Sequence, residues 1–132
     1  ISDLSKKYNL ELMVKIHDLV PRSEILNIQK KADILLLLTW NSPKEKGILT
    51  GKFFEYIASG NAILSIGAFK DTPSEIVVED KFGIATNDPE EITKFISSYQ
   101  KGKYNNNLIN RNKYDRQIQI NKLAEIIDKH AN

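Results

Sequence analysis

The sequence predicts an α/β fold with a doubly wound, mainly parallel sheet. Helix-like and strand-like segments alternate throughout the chain, and this alternation is typical of βαβ units. The run Ile34–Leu38 is continuously apolar, which is typical of a parallel strand covered on both faces. With 132 residues, 41% of them hydrophobic, the chain is large enough for a single domain, 1–132, with its own core.

The first twenty residues predict a helix end and then a strand. Residues 1–8 are mostly polar and fit the end of a helix. The segment Leu12–Ile16 alternates well enough to predict a strand. The loop His17–Val20 follows that strand, so we expect it at the carboxyl edge of the sheet, where open parallel sheets bind ligands.

A helix, the apolar strand and a second helix follow. Pro21 is expected to open a helix that runs to about Lys31. After the Ile34–Leu38 strand, in which Leu35 to Leu37 are expected to be buried, a glycine-marked loop leads into a helix predicted over Gly51–Ser59. Gly60 stands where a left-handed helix C-cap is wanted. The helix that Pro21 opens has an apolar face of Ile25, Ile28 and Ala32.

The next segments continue the alternation of strand and helix. Ala62–Ile66 predicts a strand, residues near Pro73–Val78 predict a short helix, and Gly83–Thr86 predicts a third strand. Each strand is short and apolar, and each is separated from the next by a helical segment. The sheet is therefore expected to be built from parallel strands joined by crossover helices.

Two helices are predicted in the last third of the chain. Asp88 is a preferred N-cap, Pro89 suits the first helical position, and Glu91 completes a capping box. This helix is amphipathic through Ile92, Phe95, Ile96 and Tyr99. A final helix from about Tyr114 is expected to bury Ile120, Leu123, Ala124 and Ile127.

The segment Gly47–Gly67 has the form of a nucleotide site. A loop and a helix N-terminus offer backbone N–H groups to phosphate oxygens, and the positive end of the helix favours the negative charge. Glu55 lies one turn further along, where its carboxylate can accept hydrogen bonds from a ribose diol. The candidate binding residues in this segment are Ile48, Leu49, Thr50, Gly51, Lys52 and Glu55.

The run Gly51–Gly60, followed by Ala62–Leu64, resembles the C-terminal, donor-nucleotide-binding domain of GT-B glycosyltransferases, in particular the large retaining group called family 4. The flanking segments that fit in the same order are Lys31–Leu38, Ser74–Val77 and Phe82-Gly83. The likeness extends from about Leu10 to Tyr99 and depends on the order and spacing of these pieces.

This resemblance implies a Rossmann-like half of a GT-B fold, from a parent enzyme that transfers a sugar from a nucleoside-diphosphate sugar to an acceptor such as a cell-surface glycan or a lipid precursor. It implies that Glu55 binds the ribose and that the loop with His17 and Leu19 borders the base. The chain would be an N-terminally truncated fragment without the acceptor domain, inactive in transfer by itself. No catalytic residue is predicted.

One position departs from the family pattern. Members commonly carry a second glutamate eight positions before the ribose glutamate, where it contacts the transferred sugar. Gly47 stands at that position here. The way in which the sugar is held is therefore left open, together with the base, the acceptor and the stereochemical outcome.

Simpler interpretations of the same residues stay open. Glu55 and Lys52 are three positions apart on a helix and could form only a surface ion pair. Trp40 could line the cleft or cap the core, and Glu75 could be a loop acid near the donor or a favourable charge at a helix N-terminus. For the whole protein, the alternatives are a GT-B-type sugar-nucleotide epimerase and a non-enzymatic α/β binding module.

Composition excludes several classes of function. A net charge of +2 is too small to suggest nucleic acid, and the absence of cysteine excludes disulfides and thiolate chemistry. No metal-ligand spacing is present, so no metal is predicted, and no cofactor apart from the nucleotide-sugar substrate. The last 32 residues carry seven Lys or Arg against three acids, which allows a peripheral contact with anionic lipids or simply a solvated helix face. The expected location is the cytoplasm, including the inner face of the membrane.

Overall fold

The computed structural model describes residues 1–40, 47–67, 72–102 and 109–130. The elements in chain order are α1 (Ser2–Lys7), α2 (Arg22–Lys31), β1 (Ile34–Leu38), α3 (Gly51–Ser59), β2 (Ala62–Ile66), α4 (Thr72–Glu79), β3 (Gly83–Ala85), α5 (Pro89–Gln100), a 3-10 helix (Ile109–Tyr114) and α6 (Arg116–His130). Across these ranges, every helix is too short or too polar to cross a membrane.

The three strands form one parallel sheet in the order β1-β2-β3. β1 and β2 are paired from Ile34 and Ala62 to Leu38 and Ile66. The predicted α/β class and the parallel sheet are thereby confirmed. Helices cover both faces of the sheet, but the strand order does not reverse within the described residues, so the doubly wound topology stays a prediction.

Two hydrophobic clusters lie on opposite faces of the sheet, as the alternation of side chains along β2 requires. Ile63 belongs to the face covered by α3 and α4, which we call the α3 face, and Leu64 belongs to the face covered by α5, the α5 face. The buried residues of the α3 face are Leu35, Leu37, Phe53, Tyr56, Ile57, Ile63, Val77 and Phe82. Those of the α5 face are Ala62, Leu64 and Phe95.

The prediction for β1 was right about the strand and wrong about its burial. Leu35 and Leu37 are buried on the α3 face, but Leu36 is 46% and Leu38 68% exposed. β1 is one of the two edge strands of the described sheet, and the buried cluster around α5 centres on the middle strand, β2. The strand that is covered on both faces is therefore β2, whose first four residues are all buried, and not the continuously apolar β1.

The predicted strand Leu12–Ile16 is wrong. Residues 11–13 form a turn and residues 14–21 have no regular structure. Leu12 is 99% exposed and Met13 81% exposed, so neither side chain packs against a sheet. Strand preference mostly reflects packing on a half-buried sheet, and this segment has no such surface beneath it. Because no strand precedes the His17–Val20 loop, nothing places this loop at the carboxyl edge of the sheet.

The helices agree with the predictions in extent more than in burial. Pro21 is the N-cap of α2, and Ala32 packs against the core, whereas Ile25 and Ile28 are partly exposed beside a groove. The prediction that α6 buries its apolar residues was wrong, since it has no buried residue. The exposed residues are Ile120, Leu123, Ala124 and Ile127. In the described part of the chain, α6 packs mainly on the 3-10 helix, so no described segment covers these four apolar side chains.

The start of α5 shows how its predicted capping box is realised. The Asp88 carboxylate accepts a hydrogen bond from the Glu90 backbone N–H at 2.8 Å, with Pro89 at the first helical position. Glu91 accepts a hydrogen bond from the Thr86 hydroxyl, and that hydroxyl oxygen accepts the Asp88 N–H. The box is therefore closed through Thr86 rather than by Glu91 directly.

Candidate functional site

Helix α3 is held against the sheet by its buried residues and ends at a glycine C-cap. Phe53 and Ile57 are buried one turn apart on the α3 face, which holds the helix against the sheet. The helix ends at Gly60, whose φ of 94° lies in the left-handed region that a residue with a side chain adopts only with strain. The predicted bounds, Gly51–Ser59, and the glycine C-cap are both confirmed.

The N-terminus of α3 lies at the carboxyl end of β1. Thr50 is the N-cap in an extended conformation and makes no side-chain cap hydrogen bond. Gly51 is exposed, and a Cβ at this residue would meet nothing within 4 Å. Because the first N–H groups of a helix have no partner within the helix, this end of α3 is open to an anionic group.

A small cavity separates the end of β1 from the start of α3. Its volume is about 70 Å³. The residues that line it are Leu37, Leu38, Thr39, Trp40, Ile48, Thr50, Phe53 and Pro73. Small-molecule pockets usually measure about 300–1,000 Å³, so this cavity has room for one small group of a ligand. Trp40 lines the cavity rather than capping the core. Leu49, between the lining residues Ile48 and Thr50 in the sequence, has 40% of its surface exposed.

A larger, open groove of about 460 Å³ lies between α2 and α3. Its lining residues are Ile25, Ile28, Gln29, Leu35, Lys52, Glu55 and Tyr56. The groove is mostly apolar, with the Glu55 carboxylate as its acidic group. The size and the apolar lining fit a ring-shaped ligand group, and the carboxylate supplies an acceptor for hydroxyl or N–H donors.

Glu55 is paired with residues that the sequence analysis did not single out. Its Oε1 accepts a hydrogen bond from the Arg22 guanidinium at 2.8 Å, and its Oε2 lies 3.5 Å from the Gln29 amide nitrogen. The ammonium of Lys52 lies 5.3 Å from the centre of the Tyr56 ring instead. The ion pair of Glu55 is therefore with Arg22, and not the helix-surface pair with Lys52 that was the simpler interpretation.

Arg22 and Gln29 could not be found from local spacing. They lie 33 and 26 positions from Glu55 along the chain. Only the packing of α2 beside α3 brings them together. The one available signal was that Gln29, a polar residue, lies at helical spacing between the apolar Ile25 and Ala32. In the structure Gln29 is the buried residue of α2.

The two candidate residues nearest the N-terminus are not brought to this site. His17 is exposed, and Leu19 is fully exposed. Of the predicted site residues, Ile48 and Thr50 line the small cavity, and Lys52 and Glu55 line the groove. His17 and Leu19 line neither.

Gly47 has a backbone conformation that suits glycine. Its φ is 87°, which is unfavourable for residues with a Cβ. A glutamate at this position would strain the loop before α3. The departure from the family pattern at Gly47 is thus accompanied by a backbone shape that the usual glutamate would not readily adopt.

Glu75 lies in the first turn of α4 and is exposed. Its position matches a favourable charge at a helix N-terminus. The preceding residue, Ser74, is buried and shares a 3.0 Å hydrogen bond with the Ser65 hydroxyl of β2. This bond attaches the start of α4 to the central strand, near the carboxyl ends of the strands where α3 also begins.

The described groups with shifted pKa values lie at the opposite end of α4 from Glu75. The Asp80 carboxylate accepts hydrogen bonds from the Lys113 ammonium and the Tyr114 hydroxyl, each at 2.5 Å. The hydrogen bond to Asp80 raises the pKa of Lys113, and burial, followed by the same carboxylate, raises the pKa of Tyr114. These contacts attach the 3-10 helix to the core and lie away from Glu55.

No metal centre is apparent in the described ranges, where no three His, Asp or Glu side chains lie close enough together to hold an ion. Comparison of the chain with protein-family models, curated proteins and solved structures finds no match.

Proposed function

We propose that this chain is the donor-nucleotide-binding domain of a GT-B glycosyltransferase of the family-4 type. The parent enzyme would transfer a sugar from a nucleoside-diphosphate sugar to an acceptor in glycan biosynthesis. The chain would be one domain of that enzyme, with the acceptor domain upstream, and the enzyme would work in the cytoplasm or against the inner face of the membrane.

The observation that carries the proposal is the position of α3. Its open N-terminus, at Thr50 and Gly51, lies beside the carboxyl end of β1, and Glu55 projects from the same helix into the adjoining groove. A nucleoside diphosphate needs an electropositive place for its phosphates and a hydrogen-bond acceptor for its ribose. One nine-residue helix offers both within about one turn.

In this proposal the two cavities bind different parts of the nucleoside diphosphate. The smaller cavity, beside the helix N-terminus, has room for a phosphate-sized group, whereas Lys52 lines the larger groove with its ammonium over the Tyr56 ring. The larger groove has apolar walls that suit the nucleoside and a carboxylate for the ribose diol. The donor sugar would be held without a carboxylate at position 47, where Gly47 stands.

The proposal is tested by Glu55→Ala, with nucleoside diphosphate titrations followed by NMR. UDP, GDP and ADP are suitable probes. We expect one of them to bind the 132-residue chain with millimolar affinity, about 4 kcal/mol at 1 mM. A hydrogen bond to a charged group contributes about 1.5–3 kcal/mol, so Glu55→Ala should lower that affinity by about tenfold to a hundredfold.

Glu90→Ala is the matched control, because Glu90 is an exposed helical glutamate in a 3.9 Å ion pair with Lys94, remote from α3. It should leave nucleotide affinity unchanged. If Glu55→Ala also leaves the affinity unchanged, Glu55 does not bind the ribose. If none of the three nucleotides binds, the chain is better explained as a non-enzymatic α/β module.

A further inference from the structure

We propose that Arg22 competes with the ligand for Glu55, so that in the nucleotide-free protein the carboxylate is held in an internal ion pair that the ribose must displace. This inference rests on the proposed function, because it concerns the same carboxylate. It adds a residue that controls affinity from outside the helix that carries the candidate site.

The Arg22 side chain that pairs with Glu55 is mostly exposed to solvent. The guanidinium lies 2.8 Å from Glu55 Oε1, and the side chains of Arg22 and Glu55 are 80% and 25% exposed. Gln29, which faces the other carboxylate oxygen, is buried. A hydroxyl group that approaches from solvent therefore reaches the side of the carboxylate that Arg22 already occupies.

Gln29 holds the inner side of the carboxylate in place. Its backbone carbonyl accepts a hydrogen bond from the Asn61 side chain, so this part of α2 is attached to the segment that follows α3. Its side-chain oxygen is buried and has no hydrogen-bond partner among the residues that the structure describes. The Gln29 side chain has little room to move, and it leaves Arg22 as the partner of Glu55 that can be exchanged.

Arg22 is easily exchanged because its side chain is mostly in water. Exposed ion pairs contribute little free energy, since the charges are screened and a long side chain must be held in one rotamer. Hydrogen bonds from a ribose diol to the same carboxylate contribute more. The ion pair therefore lowers nucleotide affinity by a small factor without preventing binding.

The test is a set of Arg22 variants titrated with the nucleoside diphosphate that binds the wild-type chain. Arg22→Gln removes the charge and keeps much of the side-chain length, and it should raise the affinity by about twofold to fivefold. Arg22→Lys keeps the charge and should restore affinity toward the wild-type value. Lys94→Gln, in the remote exposed pair with Glu90, is the control and should change nothing.

Two ligands separate competition at the ribose from a general effect of charge. Inorganic pyrophosphate has no ribose, and the 2′,3′-dideoxy form of the nucleotide has no diol. Removing a positive charge near the site should weaken pyrophosphate binding or leave it unchanged, whereas only the diol-bearing nucleotide should gain affinity. A gain for all three ligands would show that Arg22 merely obstructs the groove, which contradicts competition for the carboxylate.

The failures of the two proposals are distinguishable. If Glu55→Ala weakens binding but Arg22→Gln leaves it unchanged or weakens it, Glu55 is a ligand and Arg22 is not its competitor. If Glu55→Ala has no effect, or if no nucleotide binds wild type or Arg22→Gln, both proposals are wrong. Circular dichroism melting curves check that each variant is folded, which is expected because Arg22 is exposed at the start of α2.

Discussion

The α3 face of the sheet and the α5 face contain similar apolar residues, yet they are covered to different extents. On the α3 face, helices α3 and α4 and the residue Phe82 close over the strands, with Tyr114 packed at the margin. On the α5 face, α5 is the one described helix that covers β2, while Leu36 and Leu38 of β1 are exposed. Burial therefore follows from the number of helices above a strand and not from the hydrophobicity of the strand alone.

The candidate site lies on the helix of the better-packed face. Phe53, Tyr56 and Ile57 fix α3 by burial, so that Thr50 at its start and Glu55 on its more exposed side are held in place. A binding group gains affinity when its support is rigid, because less conformational freedom is lost when the ligand binds. The difference between the two faces thus bears on function, and substitutions on each face measure how well it is packed.

The largest effect is expected for Phe53→Ala on the α3 face. Removing this fully buried ring should cost about 3–5 kcal/mol of unfolding free energy, because the lost ring contacts are replaced by a cavity that the surrounding helices and strands fill only in part. Phe95→Ala on the α5 face should fall at the lower end of that range, about 3 kcal/mol, since its neighbours are less enclosed. Urea unfolding measures both, and a greater loss for Phe95→Ala would reverse the ranking of the faces.

An intermediate effect is expected for Asp80→Asn, which weakens the attachment of the 3-10 helix to the α3 face. The Asp80 side chain is nearly buried and accepts hydrogen bonds from Lys113 and Tyr114, so the substitution should cost about 1–3 kcal/mol. Tyr114→Phe removes one of the two bonds and should cost less. Equal stability of Asp80→Asn and wild type would show that the 3-10 helix adds nothing to this face.

The same cluster predicts a dependence on alkaline pH. The pKa values of Lys113 and Tyr114 are both raised in the folded state, so the folded protein holds these protons more tightly than the unfolded chain. The resulting stability is fully present below about pH 10 and is lost as the pH rises through the raised values. Unfolding curves from pH 8 to 11 should show this loss in wild type and a smaller one in Asp80→Asn.

The smallest effect is expected for Leu38→Thr on the uncovered part of the α5 face. Leu38 is 68% exposed, and threonine suits a strand, so the unfolding free energy should change by no more than about 0.5 kcal/mol. A loss as large as that of Phe95→Ala would mean that a further segment covers this side of β1. The melting temperature measured over a range of protein concentrations would show whether a second copy of the chain provides the cover.

Local patterns were sufficient to predict the central elements of the fold. The glycine C-cap at Gly60, the N-cap Asp88 and the proline after it mark helix ends by chemistry that acts over a few residues. The strand Ala62–Ile66 was predicted with its observed bounds, and the third strand, predicted over Gly83–Thr86, is one residue shorter at Gly83–Ala85; each was found because it is a short apolar run between helices. The error at Leu12–Ile16 has the same origin, since a similar local pattern occurs there without a sheet to pair with.

The candidate site was predicted only in the part that is contiguous in sequence. Thr50, Gly51 and Glu55 share one helix start, so their relation follows from helical geometry. Arg22 and Gln29 reach Glu55 through the packing of one helix on another, for which the sequence contains no short-range signal. Lys52 was within reach of Glu55 by spacing, but its ammonium lies over Tyr56 instead.

By itself the sequence determined the α/β class, the bounds of α3 and β2, and the presence of an open helix N-terminus followed by a carboxylate, because helix caps and apolar periodicity depend on near neighbours. Only the tertiary structure decided which strand is central, which apolar residues are covered, and which cation pairs with Glu55. Those outcomes depend on contacts between residues that are distant in the chain, and such contacts form only when the helices and strands pack together.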